Sequence, residues 1–181
     1  MPSAVVSSLR ANAESNRYGS GFVTIRHLES GPEAFVVTNH HVIEYADTVE
    51  LQFDDKSTLG GCQVVFDDSR RDLAVIGCEG LARRNIPWGI GPGEEEVRDQ
   101  DDVVAVGFPA INGEASYQSS RGHVSNARYK DDNKLDWIQH TAPIDGGSSG
   151  GALLSKDGRL IGVNTLKIGH RDNVYFAIPG Q

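Results

Sequence analysis

Gly146-Gly147-Ser148-Ser149-Gly150-Gly151-Ala152 is the stretch on which the reading of this chain turns. A serine with glycines on both sides sits cheaply on a tight turn, because glycine adopts backbone angles that residues with a Cβ resist. Such a turn can aim several backbone N–H groups into one small space and so form an anion nest. A hydroxyl beside the nest has the two parts that acyl transfer needs: a nucleophile, and donors placed where an oxyanion develops. Taken alone, the stretch reads first as a Gly/Ser linker or a plain turn, because such composition is common in turns. Linkers are not usually followed by an apolar strand pattern, and here Ala152-Leu153-Leu154 follows at once. The partners that the rest of the chain offers Ser149 decide the matter.

Working outward, short strand patterns recur on both sides. Upstream they are Phe22–Ile25, Ala34–Thr38, Val49–Phe53, Cys62–Phe66 and Leu73–Cys78, rich in branched and aromatic residues. Around and beyond the serine they are Val103–Phe108, Tyr117–Ser120, Gly122–Tyr129, Trp137–Thr141, Ala152–Leu154, Leu160–Leu166 and Val174–Ile178. Gly31-Pro32 reads as a turn and Lys156-Asp157-Gly158-Arg159 as a hairpin. His40 to Ala46 has room for one or two helical turns. Roughly a dozen punctuated strands with almost no helix predict an all-β chain of sandwich or barrel type. Residues 1–17 are polar apart from Val5 to Leu9 and read as a terminal arm. The turn-rich passage from about 80 to 101, with Gly91-Pro92-Gly93, is the expected boundary between two halves, about 18–95 and 96–181.

The 181 residues suffice for one domain or two small packed halves, and 38% hydrophobic with 23% charged residues suits a globular protein. A formal net charge of -8, with no basic stripe interleaved with aromatics, argues against nucleic acid as a partner. Glu94-Glu95-Glu96 reads as a solvated loop. No apolar run approaches the roughly 18 residues of a membrane span. Met1 to Val6 lacks a basic region and a long apolar core, so no secretory signal is visible. The chain as written reads as cytoplasmic, or as extracytoplasmic if it is part of a longer one. Cys62 and Cys78 make no metal motif, and neither a metal nor a cofactor is expected. A disulfide between them requires that their strands pair; two free buried thiols are the default expectation.

A hydroxyl near its normal pKa is a poor nucleophile, so Ser149 needs a base. Histidine, with an unperturbed pKa of about 6.5, is the natural one. Of six histidines, His41 stands out: it follows the strand end Val36-Val37-Thr38-Asn39 and opens a short turn that can aim a side chain into a cleft. His40 is its competitor. The base in turn needs a carboxylate to fix its tautomer. Asp72 precedes the apolar strand Leu73-Ala74-Val75-Ile76, where a carboxylate is partly buried and needs a partner; as a turn residue completing Asp67-Asp68-Ser69 it has a structural reading too. The base and carboxylate would lie in the first half and the nucleophile in the second.

With these residues in place the sequence resembles trypsin-like serine proteases of the HtrA/Deg type. Thr38-Asn39-His40-His41-Val42-Ile43 resembles their histidine motif and Arg71-Asp72-Leu73-Ala74-Val75-Ile76 their aspartate motif. The run from Trp137 through Thr141-Ala142-Pro143-Ile144-Asp145 to Leu153 resembles their serine segment. Gly158–Thr165, Phe176–Pro179 and the entry Gly19-Ser20-Gly21-Phe22 match as well, in order, from about residue 18 to 179. The resemblance implies two antiparallel β-barrels with the active site in the cleft between them, and hydrolysis of protein or peptide substrates through an acyl-enzyme. Ser149 would attack, His41 would carry the proton and Asp72 would hold His41. The N–H groups of Gly147 and Ser149, with Ser148 as a third candidate, would form the oxyanion hole. Ala142-Pro143-Ile144 would line the primary pocket, with Asn164, Thr165 and Leu166 also at the substrate. A pocket without a carboxylate, Asp145 being the nearest acid, implies preference for small or medium aliphatic residues on the acyl side of the cut bond.

Ser148 stands where the family usually has asparagine, and so does His40. The chain ends near Pro179, where the type commonly continues into a peptide-binding PDZ domain, so control by such a domain is absent or lies outside this sequence. The N-terminal arm is short for the family's trimer. Two readings compete with a general endopeptidase: a peptide-binding, chaperone-like or resting module whose 144–149 loop is disordered, and a protease that processes one partner only.

Overall fold

Branched and aromatic side chains fit a pleated, half-buried surface, and the segments rich in them pair into sheets. The structure is a computed structural model that describes residues 3–9, 17–83, 96–111, 113–166 and 171–180; for 3–9 and 111 the backbone alone is described. The first six strands are β1 (Ser3–Leu9), β2 (Arg17–Leu28), β3 (Gly31–Thr38), β4 (Thr48–Phe53), β5 (Thr58–Asp68) and β6 (Leu73–Gly77). They pair in the order β1-β2-β3-β6-β5-β4, and β4 returns to β1 to close a barrel. After a short hairpin of β8 (Ala110–Ile111) and β9 (Glu114–Ala115), which interrupts the second set, the remaining strands follow the same principle. These are β7 (Asp102–Gly107), β10 (Gln118–Lys130), β11 (Asp136–His140), β12 (Ala152–Ser155), β13 (Leu160–Thr165) and β14 (Tyr175–Pro179), closed in the order β10-β11-β14-β13-β12-β7. All pairings are antiparallel, and closure leaves neither sheet an unpaired edge strand. The expected all-β double barrel is the fold.

Four details differ from the sequence reading. Ser3–Leu9 is no arm: it pairs with β2 on one side and β4 on the other, as Val5 opposite Ser20 and Gln52 shows, and without it the first barrel would be open. The partner that closes the barrel, β4, begins only at Thr48, so nothing local announces the closure. The two patterns at Tyr117–Ser120 and Gly122–Tyr129 are one strand, β10, whose first half pairs with β7 and whose second half pairs with β11 across two irregularities. The first hairpin turns at Glu29-Ser30, and Gly31 and Pro32 already pair with Leu28 and His27. Cys62 and Cys78 form a disulfide, S–S 2.04 Å, in place of two free thiols. The register explains it: Gln63 pairs with Gly77, so the two cysteines occupy the next rung of the β5–β6 ladder, Cα atoms 4.4 Å apart. Gly91-Pro92-Gly93, the expected boundary, lies outside the described residues.

Three apolar clusters hold the barrels. Val23, Val36, Val49, Leu51, Ile76 and Leu81 fill the first. Val103, Val124, Ile138, Leu153, Ile161 and Ala177 fill the second. Between them, Phe22, Val37 and Leu73 of the first barrel meet Val106, Trp137, Leu154, Val163, Phe176 and Ile178 of the second. Each large side chain so buried contributes roughly 1.5–3 kcal/mol. The shared cluster fixes the two barrels against one another, and the loops at its margin carry the site.

Candidate active site

β3 ends at Thr38, and the chain turns at Asn39 into a single helical turn, α1 (His40–Ile43). Val42 and Ile43 are buried and pin the turn to the first barrel, which leaves the two histidines on its open side. They go to different carboxylates. His40 Nδ1 lies 2.6 Å from Asp67 Oδ1 on β5. His41 Nδ1 lies 2.8 Å from Asp72 Oδ2 and 3.0 Å from Oδ1, and the His41 backbone N–H donates to Oδ1 at 3.0 Å.

Asp72 is completely buried. It stands on the turn between β5 and β6 with φ at 57°, a left-handed conformation that aspartate tolerates better than most residues with a Cβ. Three side chains fix it there. Asn39 Nδ2 donates to its carbonyl at 2.9 Å, the His41 ring faces both carboxylate oxygens, and Thr165 Oγ1 donates to Oδ2 at 2.7 Å from the second barrel. Burial pushes the carboxyl pKa up, but the His41 ring, the Thr165 hydroxyl and the His41 N–H outweigh it and hold the group below its ordinary value. The carboxylate is therefore ionised at neutral pH. It keeps the proton of His41 on Nδ1 and the lone pair on Nε2.

Ser149 arrives from the other barrel, on the loop between β11 and β12. Its Oγ accepts the backbone N–H of Leu166 at 3.2 Å. Leu166 directly follows Thr165, so consecutive residues at the end of β13 touch Ser149 and Asp72. The Ser149 carbonyl accepts the N–H of Ser20 at 2.8 Å. A Cβ on Gly19 would lie 2.5 Å from Val42 and 3.0 Å from that same carbonyl, so the helical turn of His41 and the loop of Ser149 flank one glycine. Asp72 and Ser149 thus each meet one of two consecutive residues, Thr165 and Leu166, where the barrels face one another.

Gly150 shows why the loop is glycine-rich. It has φ +88, and a Cβ there would stand 2.1 Å from the Ser20 carbonyl and 2.4 Å from Thr38 Oγ1. Within the loop, Ser148 N–H donates to the Asp145 carbonyl at 2.9 Å, Gly151 N–H to the Ser148 carbonyl at 3.0 Å, and Gly150 N–H to the Asn164 carbonyl at 2.9 Å. Ser148 N–H, one of the three candidate oxyanion donors, is therefore already engaged.

The expected pocket residues divide. Ala142 and Ile144 are buried among Val124, Ile138 and Ala177, while Pro143 is exposed and its carbonyl accepts Ser120 Oγ. Asn164 turns inward and donates to the Ala152 carbonyl at 3.0 Å. The Thr165 side chain is taken by Asp72, and Leu166 offers its backbone beside Ser149. Sequence reasoning missed Thr165 as the anchor of Asp72, Asn39 as the brace behind it, and Ser20. The signal for Ser20 was present in Gly19-Ser20-Gly21, a serine between glycines at the mouth of a strand. His140 was also passed over. It is buried beside Tyr175, and burial lowers its pKa to about 4. No metal-binding cluster of His, Cys, Asp or Glu occurs among the described residues.

Two β-barrels with a histidine–carboxylate pair on one and a glycine-bedded serine on the other define the architecture of a trypsin-like protease. The chain belongs to the trypsin-like peptidase domain family, which matches residues 19–163, and within it to the HtrA type. It is 30% identical over 185 residues to the Serine protease Do-like HtrA of Bacillus subtilis, covering 97% of this chain and 40% of that protein. It is 31% identical over 152 residues to the Periplasmic serine endoprotease DegP of Salmonella typhimurium, covering 82% of this chain and 31% of the relative. The solved structure of the HtrA-type protease AlgW with tripeptide superposes with a TM-score of 0.79 at 28% identity, over 99% of this chain and 56% of that one. The chain thus spans less than half the length of these curated relatives.

Proposed function

We propose that this chain is a serine endopeptidase in which Ser149, His41 and Asp72 form the catalytic triad. The observation that carries the reading is the ionised, buried Asp72, which binds His41 Nδ1 on one side and Thr165 on the other, while the neighbour of Thr165 binds Ser149 Oγ. Ser149 Oγ attacks the carbonyl carbon of the peptide bond as its proton passes to His41 Nε2. The carbonyl oxygen becomes an oxyanion that accepts the N–H groups of Gly147 and Ser149. His41 then gives its proton to the departing amine, leaving an ester on Ser149. Water, deprotonated by His41, attacks that ester and releases the acid, and the proton returns to Ser149. Asp72 stabilises the imidazolium at each stage without taking its proton. Ser148 takes no part in the oxyanion hole, since its N–H serves Asp145.

The substrates are flexible or unfolded protein segments with small or medium aliphatic residues before the cut. The support is the apolar Ala142 and Ile144 and the lack of a carboxylate among the expected pocket residues. The chain works in an oxidising, extracytoplasmic setting. The Cys62–Cys78 disulfide supports this, and so does the periplasmic relative. The test is Ser149→Ala together with a phosphonylating reagent and a peptide library. Turnover should fall by at least about 10⁴-fold with the fold retained, and the wild type should carry one label, on Ser149. Residual turnover within tenfold of wild type sinks the mechanism. Faster cleavage after Lys or Arg than after Val or Ala sinks the specificity alone.

A further inference from the structure

Ser20 lies on β2 of the first barrel, is fully buried, and uses every polar atom it has. Its Oγ donates to the Gly147 carbonyl at 2.6 Å and accepts the Phe108 N–H at 2.7 Å. Its N–H donates to the Ser149 carbonyl at 2.8 Å, and its own carbonyl accepts Thr38 Oγ1 at 2.7 Å. One residue of the first barrel therefore grips the second barrel's loop at two carbonyls, on either side of Ser148.

The planar peptide makes this grip directional. The 147–148 peptide is held at its carbonyl by Ser20 Oγ and at its N–H by the Asp145 carbonyl. The 148–149 peptide, which carries the Ser149 N–H, is held at its carbonyl by Gly151. The 146–147 peptide, which carries the Gly147 N–H, is held by the Ala110 N–H on its carbonyl at a longer 3.3 Å. Gly147 itself has φ +93 and resists no rotation through a side chain. With no side chain to hold it, the plane that carries the Gly147 N–H is set by the anchors on either side, Ala110 N–H on the Gly146 carbonyl and Ser20 Oγ on the Gly147 carbonyl.

We propose that Ser20 is a positioning residue for the oxyanion hole: its hydroxyl latches the Gly147 carbonyl and so keeps the Gly147 N–H aimed at the oxyanion. The proposal rests on Ser149 being the nucleophile. Ser20 never touches substrate and acts only through Gly147. The rival account is that it merely fastens one barrel to the other.

The two accounts separate in kinetics. In Ser20→Ala the latch is lost, and a donor displaced by about an ångström costs on the order of 100-fold. The expected result is a fall of about 100-fold in kcat and in the rate of phosphonylation of Ser149, with KM within about threefold. The acid limb of the pH–rate profile keeps its midpoint, because His41 and Asp72 are untouched. Ser20→Cys, which fills the space with a poor donor, should show the same losses and carries the test if Ser20→Ala does not fold. A folded variant with kcat within threefold of wild type overturns the latch. So does a loss shared equally between kcat and KM with a displaced acid limb, which is the mark of general loosening. A wild type that takes no label on Ser149 overturns the nucleophile and the latch together, whereas a labelled wild type with unaffected variants overturns the latch alone.

Discussion

The two barrels share a topology and differ in what they bring to the site. The first contributes side chains in imidazole–carboxylate pairs: His41 with Asp72, and His40 with Asp67 beside them. The second contributes Ser149 and a bed of backbone dipoles on glycine. Side chains that must stay ionised while buried need several partners, and the Asp72 carboxylate has three: the His41 ring, the His41 backbone N–H and the Thr165 hydroxyl. Dipoles need only the right peptide planes, so their loop needs small residues and remote carbonyl anchors. The same division shows in the frame. The first barrel is stapled by a disulfide, whereas the second buries a neutral histidine.

The sharpest way to break this contrast is Asp72→Asn. Asparagine tolerates the left-handed backbone and keeps the shape, but its amide would donate to Nδ1 and leave the proton on Nε2. We expect kcat to fall about 10⁴-fold with near-native thermal stability. A loss below about 100-fold, measured on a folded variant, would show that the pair is structural.

Next in size is the staple. Cys62 and Cys78 are separated by 16 positions, and closing a loop of that size contributes about 3 kcal/mol. Urea unfolding with and without reductant should differ by about that amount, while kcat of the folded, reduced protein stays unchanged. A parallel loss of kcat would mean that the first barrel's frame reaches the site after all.

The smallest effect belongs to the second barrel. Burial lowers the pKa of His140 to about 4, below the ordinary histidine value of about 6.5, so between these values the unfolded chain binds the proton and the native one does not. Stability from this group is complete above about 6.5 and is lost as pH falls towards about 4. By pH 5 the loss is about 2 kcal/mol. His140→Phe should flatten the decline between pH 7 and 5 in unfolding experiments; an unchanged slope would assign it to other groups.

Much of this was readable along the chain. Strands such as Phe22–Ile25 and Leu160–Leu166 announce themselves by composition, and the pairing of His41 with Asp72 is foreshadowed by their settings at the two strand ends. What stayed hidden depends on register or on contacts between barrels. β1 mixes serines with apolar residues in no clear alternation, and one of the strands it pairs with, β4, begins only at Thr48. The disulfide follows from a rung of the β5–β6 ladder that composition does not reveal. Thr165 looks like an ordinary strand residue, and the setting of Ser20 between glycines does not say what it holds, until the other barrel is placed against them. Ser148 N–H looked available until the turn closed on Asp145.

That dependence has a consequence during synthesis. Thr165 reaches back to Asp72, and Ser20 reaches forward to Gly147 and Ser149. A nascent chain whose first half has emerged and folded holds its proton-carrying pair without the hydroxyl that brackets it. The half still inside the ribosome has a serine loop with nothing to clasp it. The arrangement is therefore complete only once the second barrel has docked on the first, and an unfinished copy lacks it.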